Sequence, residues 1–141
     1  MATTATISIS SDIAPGFGGI NASMTLTQAG TTTDIKETTG YSRRKLATDS
    51  KVDLIIMANT RVDTTATATA AKVFIKNIGY NGVIDKTVGV KVFINAVEIG
   101  VLYGGDWLMM PVSVVDAEDI EVKPGTDDIV ILEYAMYYEE A

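Results

Sequence analysis

The 141-residue sequence contains no cysteine and no histidine. Without cysteine the fold has to hold without disulfide bonds, and thiol nucleophiles and thiolate metal ligands are excluded. Without histidine the chain lacks the side chain that most often serves as a general base near neutral pH. Any chemistry would depend on carboxylates, lysine, tyrosine or hydroxyl groups. We therefore predict a protein that is not an enzyme and that has no catalytic residues, no cofactor and no metal.

Basic residues and long apolar runs are also scarce. Eleven Lys and Arg against eighteen Asp and Glu give a formal net charge of −7, which opposes binding to nucleic acids and to anionic membranes. No stretch approaches the roughly 20 apolar residues of a membrane-spanning helix. The first residues also lack the basic start and apolar run of a signal peptide. We expect a soluble, folded protein made in a cytoplasm, with neither nucleic acid nor membrane as a partner.

What the chain does have is the alternation of a β protein. Val88, Val90, Val92 and Ile94 share one face of a predicted strand, with Gly89, Lys91 and Phe93 on the other. Asn95-Ala96 interrupts this run and alternation then resumes, which predicts a β-hairpin with a short turn. Similar short runs predict further strands at 4–10, 22–28, 52–57, 69–78, 107–111, 119–123 and 128–138.

The residues between these runs predict how the strands end and connect. Pro111 should end its strand or place it at the edge of a sheet, because proline cannot donate to a ladder. Pro124-Gly125-Thr126-Asp127 predicts the turn of a final hairpin. The strand at 128–138 is apolar on both faces over 129–132, so we predict that this segment is central in its sheet or covered on both sides. Residues 43–50 could instead form a short helix.

Together these patterns predict an all-β protein. We expect a single domain over 1–141, a β-sandwich or jelly-roll-like fold of short antiparallel strands. The main sandwich is predicted over 51–141. The polar, threonine-rich segment 1–50 is either an extended N-terminal arm or a set of ordinary strands.

Two segments superficially resemble ligand sites. Asp116, Glu118, Asp119 and Glu121 could bind calcium or serve a carboxylate-based hydrolase, but the run lacks the spacing and the glycine of an EF-hand loop. We favour solvated loop charge, because carboxylates are mostly exposed. The stretch 16–19 is rich in glycine, but no Lys-Ser/Thr follows it as in a phosphate-binding loop, so a connector is favoured.

The remaining candidates are basic and aromatic. Arg43, Arg44 and Lys45 beside Tyr41 form the only basic cluster, which we interpret as a surface or subunit-contact patch. The aromatic residues could form a platform for a sugar, although core packing is favoured. The members of that platform would be Tyr103, Trp107, Tyr134, Tyr137 and Tyr138. The predicted partner contacts are Tyr41, Arg43, Arg44, Lys45, Tyr103, Asp106 and Trp107.

Three stretches of the chain resemble small virion proteins of tailed bacteriophages. They are Ala-Ala-Lys-Val-Phe-Ile-Lys-Asn at 70–77, Val-Glu-Ile-Gly-Val-Leu-Tyr-Gly-Gly-Asp-Trp at 97–107 and Ile-Val-Ile-Leu-Glu-Tyr-Ala-Met at 129–136. The shared character is a strand with a Thr- and Ala-rich lead, a Gly-Gly-Asp-Trp turn and a closing strand that contains Leu-Glu-Tyr. The resemblance covers residues 64–138.

This resemblance implies a decoration or cement protein on the outer surface of the phage head. Such a subunit would contact the major capsid protein or other virion proteins and would form a homo-oligomer, with a trimer favoured. It would be synthesised in the cytoplasm of the host bacterium. A tail, collar or fibre-base component of the virion is an alternative. A carbohydrate-binding module is a second alternative, suggested by Trp107 and the tyrosines.

Overall fold

The computed structural model describes residues 3–9, 20–26, 37–38, 41–47, 50–57, 68–79, 83–113, 119–125 and 129–140. Within these ranges the chain forms strands and turns, and none of them contains a helix that could span a membrane. The strands of the described residues are β1 (Thr3–Ile9), β2 (Ile20–Leu26), β3 (Glu37–Thr38), β4 (Ser42–Leu46), β5 (Val52–Ile55), β6 (Ala68–Asn77), β7 (Gly89–Ile94), β8 (Val97–Tyr103), β9 (Trp107–Ser113), β10 (Ile120–Pro124) and β11 (Val130–Glu140).

The predicted all-β sandwich is confirmed. One antiparallel sheet has the strand order β5-β10-β7-β8. In the other, β11 pairs with β6 on one side and β6 pairs with β9, while β3 and β4 pair with successive parts of the other side of β11. β11 is therefore central, as its apolar faces predicted. A separate antiparallel pair, β1-β2, lies within the N-terminal segment.

The core lies between the two larger sheets. The alternation at 88–94 is confirmed, because Val90 and Val92 are fully buried while Lys91 between them is partly exposed. The facing sheet contributes fully buried residues such as Val73, Ile75 and Leu132. Burying one such side chain contributes about 1.5–3 kcal/mol, so these alternating strands supply most of the driving force for folding.

Asn77 is a fully buried polar residue that joins the two sheets. Its Nδ2 donates to the carbonyl oxygens of Leu102 at 2.9 Å and Val88 at 3.3 Å. Its Oδ1 accepts the N–H of Gly79 at 2.8 Å. Each polar group of this side chain therefore has a partner, as burial requires. The end of β6 is thereby fastened to the start of β7 and the end of β8.

The predicted hairpin between β7 and β8 is confirmed. Its two turn residues have positive φ, 47° at Asn95 and 64° at Ala96, as in the type I′ turns that match the twist of paired strands. Further along, the register shifts between Val92 and Phe93, so Ile99 has no partner in β7. This β-bulge lies in an edge strand of its sheet.

The structure corrects the expectation for one segment and decides between the two alternatives given for Pro111. The helix predicted over 43–50 is wrong for its first part, because 42–46 pair as β4 with Val130–Tyr134 and tertiary pairing outweighs weak local propensity. Residues 48 and 49 lie outside the described residues. Pro111 does not end its strand, since β9 continues to Ser113. The alternative prediction for Pro111 is right, because β9 is an edge strand that needs no donor on its free side.

The predicted final hairpin is wrong. β10 pairs with β5 and β7, whereas β11 belongs to the other sheet, so the chain crosses between the sheets after Pro124. The N–H of Gly125 donates to the Gly89 carbonyl at 2.8 Å and holds this exit against β7. A turn sequence predicts a change of direction, but the partner of each strand is set by which apolar faces can be buried together.

The N-terminal half contributes to the sandwich as well. β3 and β4 lie before residue 51 and pair with β11, so the sandwich includes part of the segment predicted to precede it. The strands predicted at 4–10 and 22–28 form β1 and β2, which pair with each other. That the whole chain is one domain stays a prediction.

Candidate binding surfaces

One row of side chains crosses the outer face of the β11 sheet. The register places Arg43 of β4, Glu133 of β11, Lys76 of β6 and Trp107 of β9 at neighbouring positions. Because paired residues lie on the same face of a sheet, these side chains share one side. Four strands distant in sequence therefore bring two cations, one anion and an aromatic residue together.

The same outer face carries three neighbouring aromatic rings, one of which is the Trp107 ring of the row just described. The ring of Phe74 is stacked near that of Tyr41, with centroids 6.2 Å apart and an interplanar angle of 26°. On its other side lies the indole of Trp107, at 6.3 Å and 35°. Tyr41 is 60% exposed and Trp107 is 41% exposed. We call Tyr41, Phe74 and Trp107 the aromatic row.

Glu133 holds the polar part of this face together. It is only 7% exposed, and its carboxylate accepts hydrogen bonds from the Tyr41 hydroxyl and, at 2.8 Å, from Nε of Arg43. The Arg43 Nη2 lies 2.6 Å from the same carboxylate oxygen. A buried carboxylate is stable only when it is paired and hydrogen-bonded. This pairing therefore fixes the position of Tyr41 at the edge of the aromatic row.

The same contacts change two pKa values. The hydrogen bond from Tyr41 lowers the pKa of Glu133, and Arg43 and Lys76 act in the same direction while burial opposes them. Burial and the hydrogen bond to Glu133 raise the pKa of the Tyr41 phenol to about 12. At neutral pH Glu133 is therefore ionised and Tyr41 is protonated, which is the combination that this hydrogen bond needs.

The predicted basic cluster is divided by the alternation of β4. Arg43 lies on the outer face beside Glu133, and Lys45 is exposed on that face opposite Ile131. Arg44 is half-buried and donates a hydrogen bond to the backbone carbonyl of Asp53 in the other sheet. The cluster is therefore not one patch, because Arg44 stabilises the fold while Arg43 orders the outer face.

The predicted aromatic platform is also divided. Tyr103 lies on β8 in the other sheet, and Tyr134 packs against the core. Tyr137 lies on the same face as Ala135 and Glu133, whereas the side chain of Tyr138 is outside the described residues. Trp107 is joined instead by Tyr41 and Phe74. The signal for Phe74 was available, since it alternates with the buried core residues of β6 and therefore points outward.

Asp106 serves the turn between β8 and β9. Its carboxylate accepts the N–H of Tyr103 at 3.0 Å, and its own N–H donates to the Tyr103 carbonyl at 2.8 Å. Gly104 in this turn packs so closely on Asp85 that a Cβ would lie 2.1 Å from its carbonyl oxygen. The Gly-Gly-Asp-Trp sequence thus builds a tight crossing between the sheets, and it places Tyr103 and Trp107 on different ones.

A second exposed surface runs along β8. Four large apolar residues are exposed there: Val97 at 66%, Ile99 at 45%, Val101 at 37% and Tyr103 at 47%. Val101 and Tyr103 converge over Gly89, where an added Cβ would lie 2.7 Å from Val101 Cγ1 and 3.0 Å from the Tyr103 ring. The one charged residue of β8, Glu98, pairs with Lys91 at 2.8 Å. We call these four apolar residues the β8 strip.

The predicted acidic segment lies only partly within the described residues, because Asp116 and Glu118 fall outside them. Asp119 accepts the N–H of Met57 at 2.8 Å. Glu121 accepts Lys51 Nζ at 2.8 Å and the N–H of Ala96 at 3.1 Å. In the part of the chain that the structure describes, no group of three candidate ligands could hold a metal ion. Asp119 and Glu121 therefore accept hydrogen bonds that stabilise turns and strand ends. The glycine-rich stretch 16–19 lies outside the described residues.

The function of this chain has to be interpreted from its own residues. The sequence matches no protein-family model, and a search of curated proteins finds no match. The aromatic row and the β8 strip are therefore interpreted from their own geometry and chemistry.

Proposed function

We propose that this protein is a structural subunit of a tailed-bacteriophage particle, namely a decoration or cement protein on the outer surface of the head. The supporting observation is the presence of two exposed apolar surfaces on different sheets, the aromatic row and the β8 strip. A subunit of a shell needs one contact surface for copies of itself and another for the particle. Large apolar side chains clustered at a surface are typical of such contacts.

The edges of the two larger sheets favour a protein-binding role for β8. Proteins usually protect edge strands with charges, proline or short length. Among the described edges, β9 carries Pro111, β5 has four residues, and β4 carries Arg43 and Lys45. β8 has seven residues, a bulge and one paired charge, and its apolar residues remain exposed. Among the described edge strands of the two larger sheets, β8 carries the longest row of exposed large apolar residues, as expected where a protein contact covers it.

The aromatic row then provides the contact with the major capsid protein or another virion protein. Its rings combine apolar area with the polar tip of Tyr41, and aromatic residues and arginine are enriched at protein interfaces. Arg43 and Glu133 are already paired in the free protein, so binding there would order few additional side chains. Such a preorganised surface binds at a lower entropic cost.

Electron cryomicroscopy of the purified source particle tests the proposal. We expect density for a β-sandwich on the outside of the head, and added protein should restore that density to particles that lack it. Trp107→Ala should weaken this rebinding at least tenfold, in the range of an interface hot spot. Val83→Ala, an exposed residue outside both surfaces, should rebind normally. Absence of the chain from purified virions refutes the proposal, and density on the tail or collar favours the alternative virion location.

A carbohydrate-binding module is the second candidate, and the aromatic row favours it. Aromatic faces stack on the apolar faces of sugars, while Arg43 and Lys76 beside them could donate hydrogen bonds to hydroxyl groups. A glycan array with wild type, Trp107→Ala and Tyr103→Ala separates the possibilities. Sugar binding on this face predicts hits that Trp107→Ala removes and Tyr103→Ala keeps, since Tyr103 lies on the other sheet. A wild-type protein without hits eliminates this candidate.

A further inference from the structure

Three cations lie around Glu133 on the outer face of the β11 sheet. Arg43 of β4 and Lys76 of β6 are its register partners on either side. Lys45 follows two residues along β4 and is exposed on the same face. Neighbouring strands lie about 4.8 Å apart and alternate residues of one strand about 6.6 Å apart, so the three positions lie within about 12 Å of one another. We call Arg43, Lys45 and Lys76 the cationic patch.

The charge of this patch is opposite in sign to that of the whole chain. Glu133 is the one carboxylate among the side chains of this face that the structure describes, and Arg43 lies 2.6 Å from it. Three cations and one carboxylate give the patch with Glu133 a net charge of +2, whereas the chain carries −7. On the other larger sheet, Glu98 and Glu121 each pair with a lysine at 2.8 Å. The patch is therefore a local excess of positive charge on an acidic protein.

We propose that the cationic patch and the aromatic row together bind an acidic segment of a partner protein. The patch attracts acidic groups while the rest of the chain repels them, so an acidic partner meets the protein in one orientation. The proposal deepens the proposed function and rests on it for one point, namely that the partner is the virion protein that contacts the aromatic row.

Arg43 is prepared to bind a second carboxylate. A guanidinium has five N–H donors; the Glu133 carboxylate accepts from Nε at 2.8 Å and lies 2.6 Å from Nη2. The Arg43 side chain is nevertheless 69% exposed. Because its pairing with Glu133 fixes its orientation before a partner arrives, the entropic cost of binding is lowered. The neighbouring rings of Phe74 and Trp107 supply apolar surface that excludes water in the complex, and ion pairs are stronger where water is excluded.

The size of the patch favours a protein segment over a nucleic acid or a long acidic polysaccharide. An extended chain advances about 3.3 Å per residue, so about four residues span the patch. A long polyanion continues beyond the patch over a chain whose net charge is −7. Three cations also release few counterions from a nucleic acid, which leaves little to offset that repulsion. A short acidic segment places its charge only where the cations lie.

Fluorescence titration of the full chain with octaglutamate tests the binding of an acidic segment. Trp107 is the single tryptophan and is 41% exposed. At about 0.02 M salt we expect saturable binding that weakens at least tenfold at about 0.5 M salt, because screening shortens the range of the charges. Octaglutamine should not bind. Binding of octaglutamine with equal affinity, or no salt dependence, overturns the inference.

Two lysine variants locate the contact. Lys45→Gln should raise the dissociation constant of octaglutamate about three- to tenfold, since it removes one nearby charge. Lys123→Gln is the matched control. It changes the net charge equally but lies between the buried residues Val122 and Pro124, on the outer face of the other sheet, and should leave the constant unchanged. Equal effects of the two variants contradict the inference.

Two further probes with eight negative charges test the choice of a protein partner. They are a thymidylate oligonucleotide with eight phosphates and an octamer of galacturonic acid. Both should bind more weakly than octaglutamate, and tighter binding of either one refutes that choice.

Rebinding to particles that lack the protein separates this inference from the proposed function. Lys45→Gln should weaken rebinding about three- to tenfold and Lys123→Gln should not. If the protein is part of the particle but both variants rebind alike, the inference fails and the proposed function stands. If the chain is absent from virions while octaglutamate binds as expected, the proposed function fails and the acidic-segment site stands.

Discussion

Replacing Asn77 by aspartate tests how strongly one buried amide holds the two sheets together. The substitution keeps the size of the side chain and one acceptor oxygen for the Gly79 N–H. The second oxygen would take the place of Nδ2, which lies 2.9 Å and 3.3 Å from two carbonyl oxygens. When ionised, the new carboxyl has no proton to donate and faces two negative partial charges. Only its protonated form can restore one of the lost hydrogen bonds.

The expected cost at pH 7.5 is about 3–5 kcal/mol, the range for an uncompensated buried charge. Burial and the two carbonyl oxygens raise the folded pKa of the new carboxyl above its unfolded value of about 3.9. Between these two pKa values the folded state binds more protons than the unfolded state. Stability relative to wild type is therefore highest at low pH and falls by about 1.4 kcal/mol per pH unit as pH rises towards the folded pKa.

Urea unfolding at several pH values from about 5.5 to 8.5 measures this difference, with the fluorescence of Trp107, the single tryptophan, as the probe. Asn77→Ala is the control. It leaves buried groups unsatisfied at a cost of about 2–4 kcal/mol, but this cost should not vary with pH. A variant-to-wild-type difference that is independent of pH, or smaller than about 1 kcal/mol, would refute the role assigned to Asn77.

Three further predictions address turns and the outer face. Gly104→Ala should lower the free energy of unfolding by more than about 2 kcal/mol, because the new methyl group would lie 2.1 Å from a backbone oxygen. In the control Gly100→Ala the new methyl group would have no atom within 4 Å, so the free energy of unfolding should change by less than about 0.5 kcal/mol. Thermal melts of the two variants decide this, and equal shifts would contradict it. Ala96→Gly should raise the free energy of unfolding by about 0.5–1 kcal/mol, since Ala96 has φ 64° and glycine removes that strain. Urea unfolding measures this change, and a lower stability of the variant would contradict the turn assignment. Ultraviolet titration should show the phenol of Tyr41 ionising at about pH 12, and Glu133→Gln should lower its pKa. Because the folded pKa of Tyr41 exceeds its unfolded value near 10, the stability from the Tyr41–Glu133 hydrogen bond is present below about pH 10 and is lost as pH rises further. An unchanged titration in Glu133→Gln would contradict this hydrogen bond.

Most strands could be predicted because their information is local. At β7 the alternation of Val88, Val90 and Val92 with other residues predicts a buried face, whichever element packs against it. The Asn95-Ala96 interruption likewise needs only its two flanking strands to form a hairpin. The strand pairing of β10 was predicted wrongly for the opposite reason. Pro124-Gly125 shows that the chain changes direction, but not which sheet receives the next strand.

The candidate surfaces were predicted less completely. Tyr41, Arg43 and Trp107 were chosen from their residue types, and the structure brings them onto one face. Tyr103 and Asp106, chosen with them, lie apart from that face, because the crossing after β8 separates neighbours in sequence onto different sheets. The buried partner Glu133 was missed, since a carboxylate within an apolar strand shows its role only when the cation opposite it is known.

The sequence by itself determined that this protein is an acidic β protein without cysteine or histidine, because composition and alternation are properties of the chain alone. Its strand positions followed from the same alternation to within a few residues. The tertiary structure decided which strands pair, and therefore which side chains share a face. Arg43 pairs with Glu133, and Phe74 lies between Tyr41 and Trp107, only because of the register of β4, β6, β9 and β11. Register depends on burying several apolar faces at once, and no single segment contains that information.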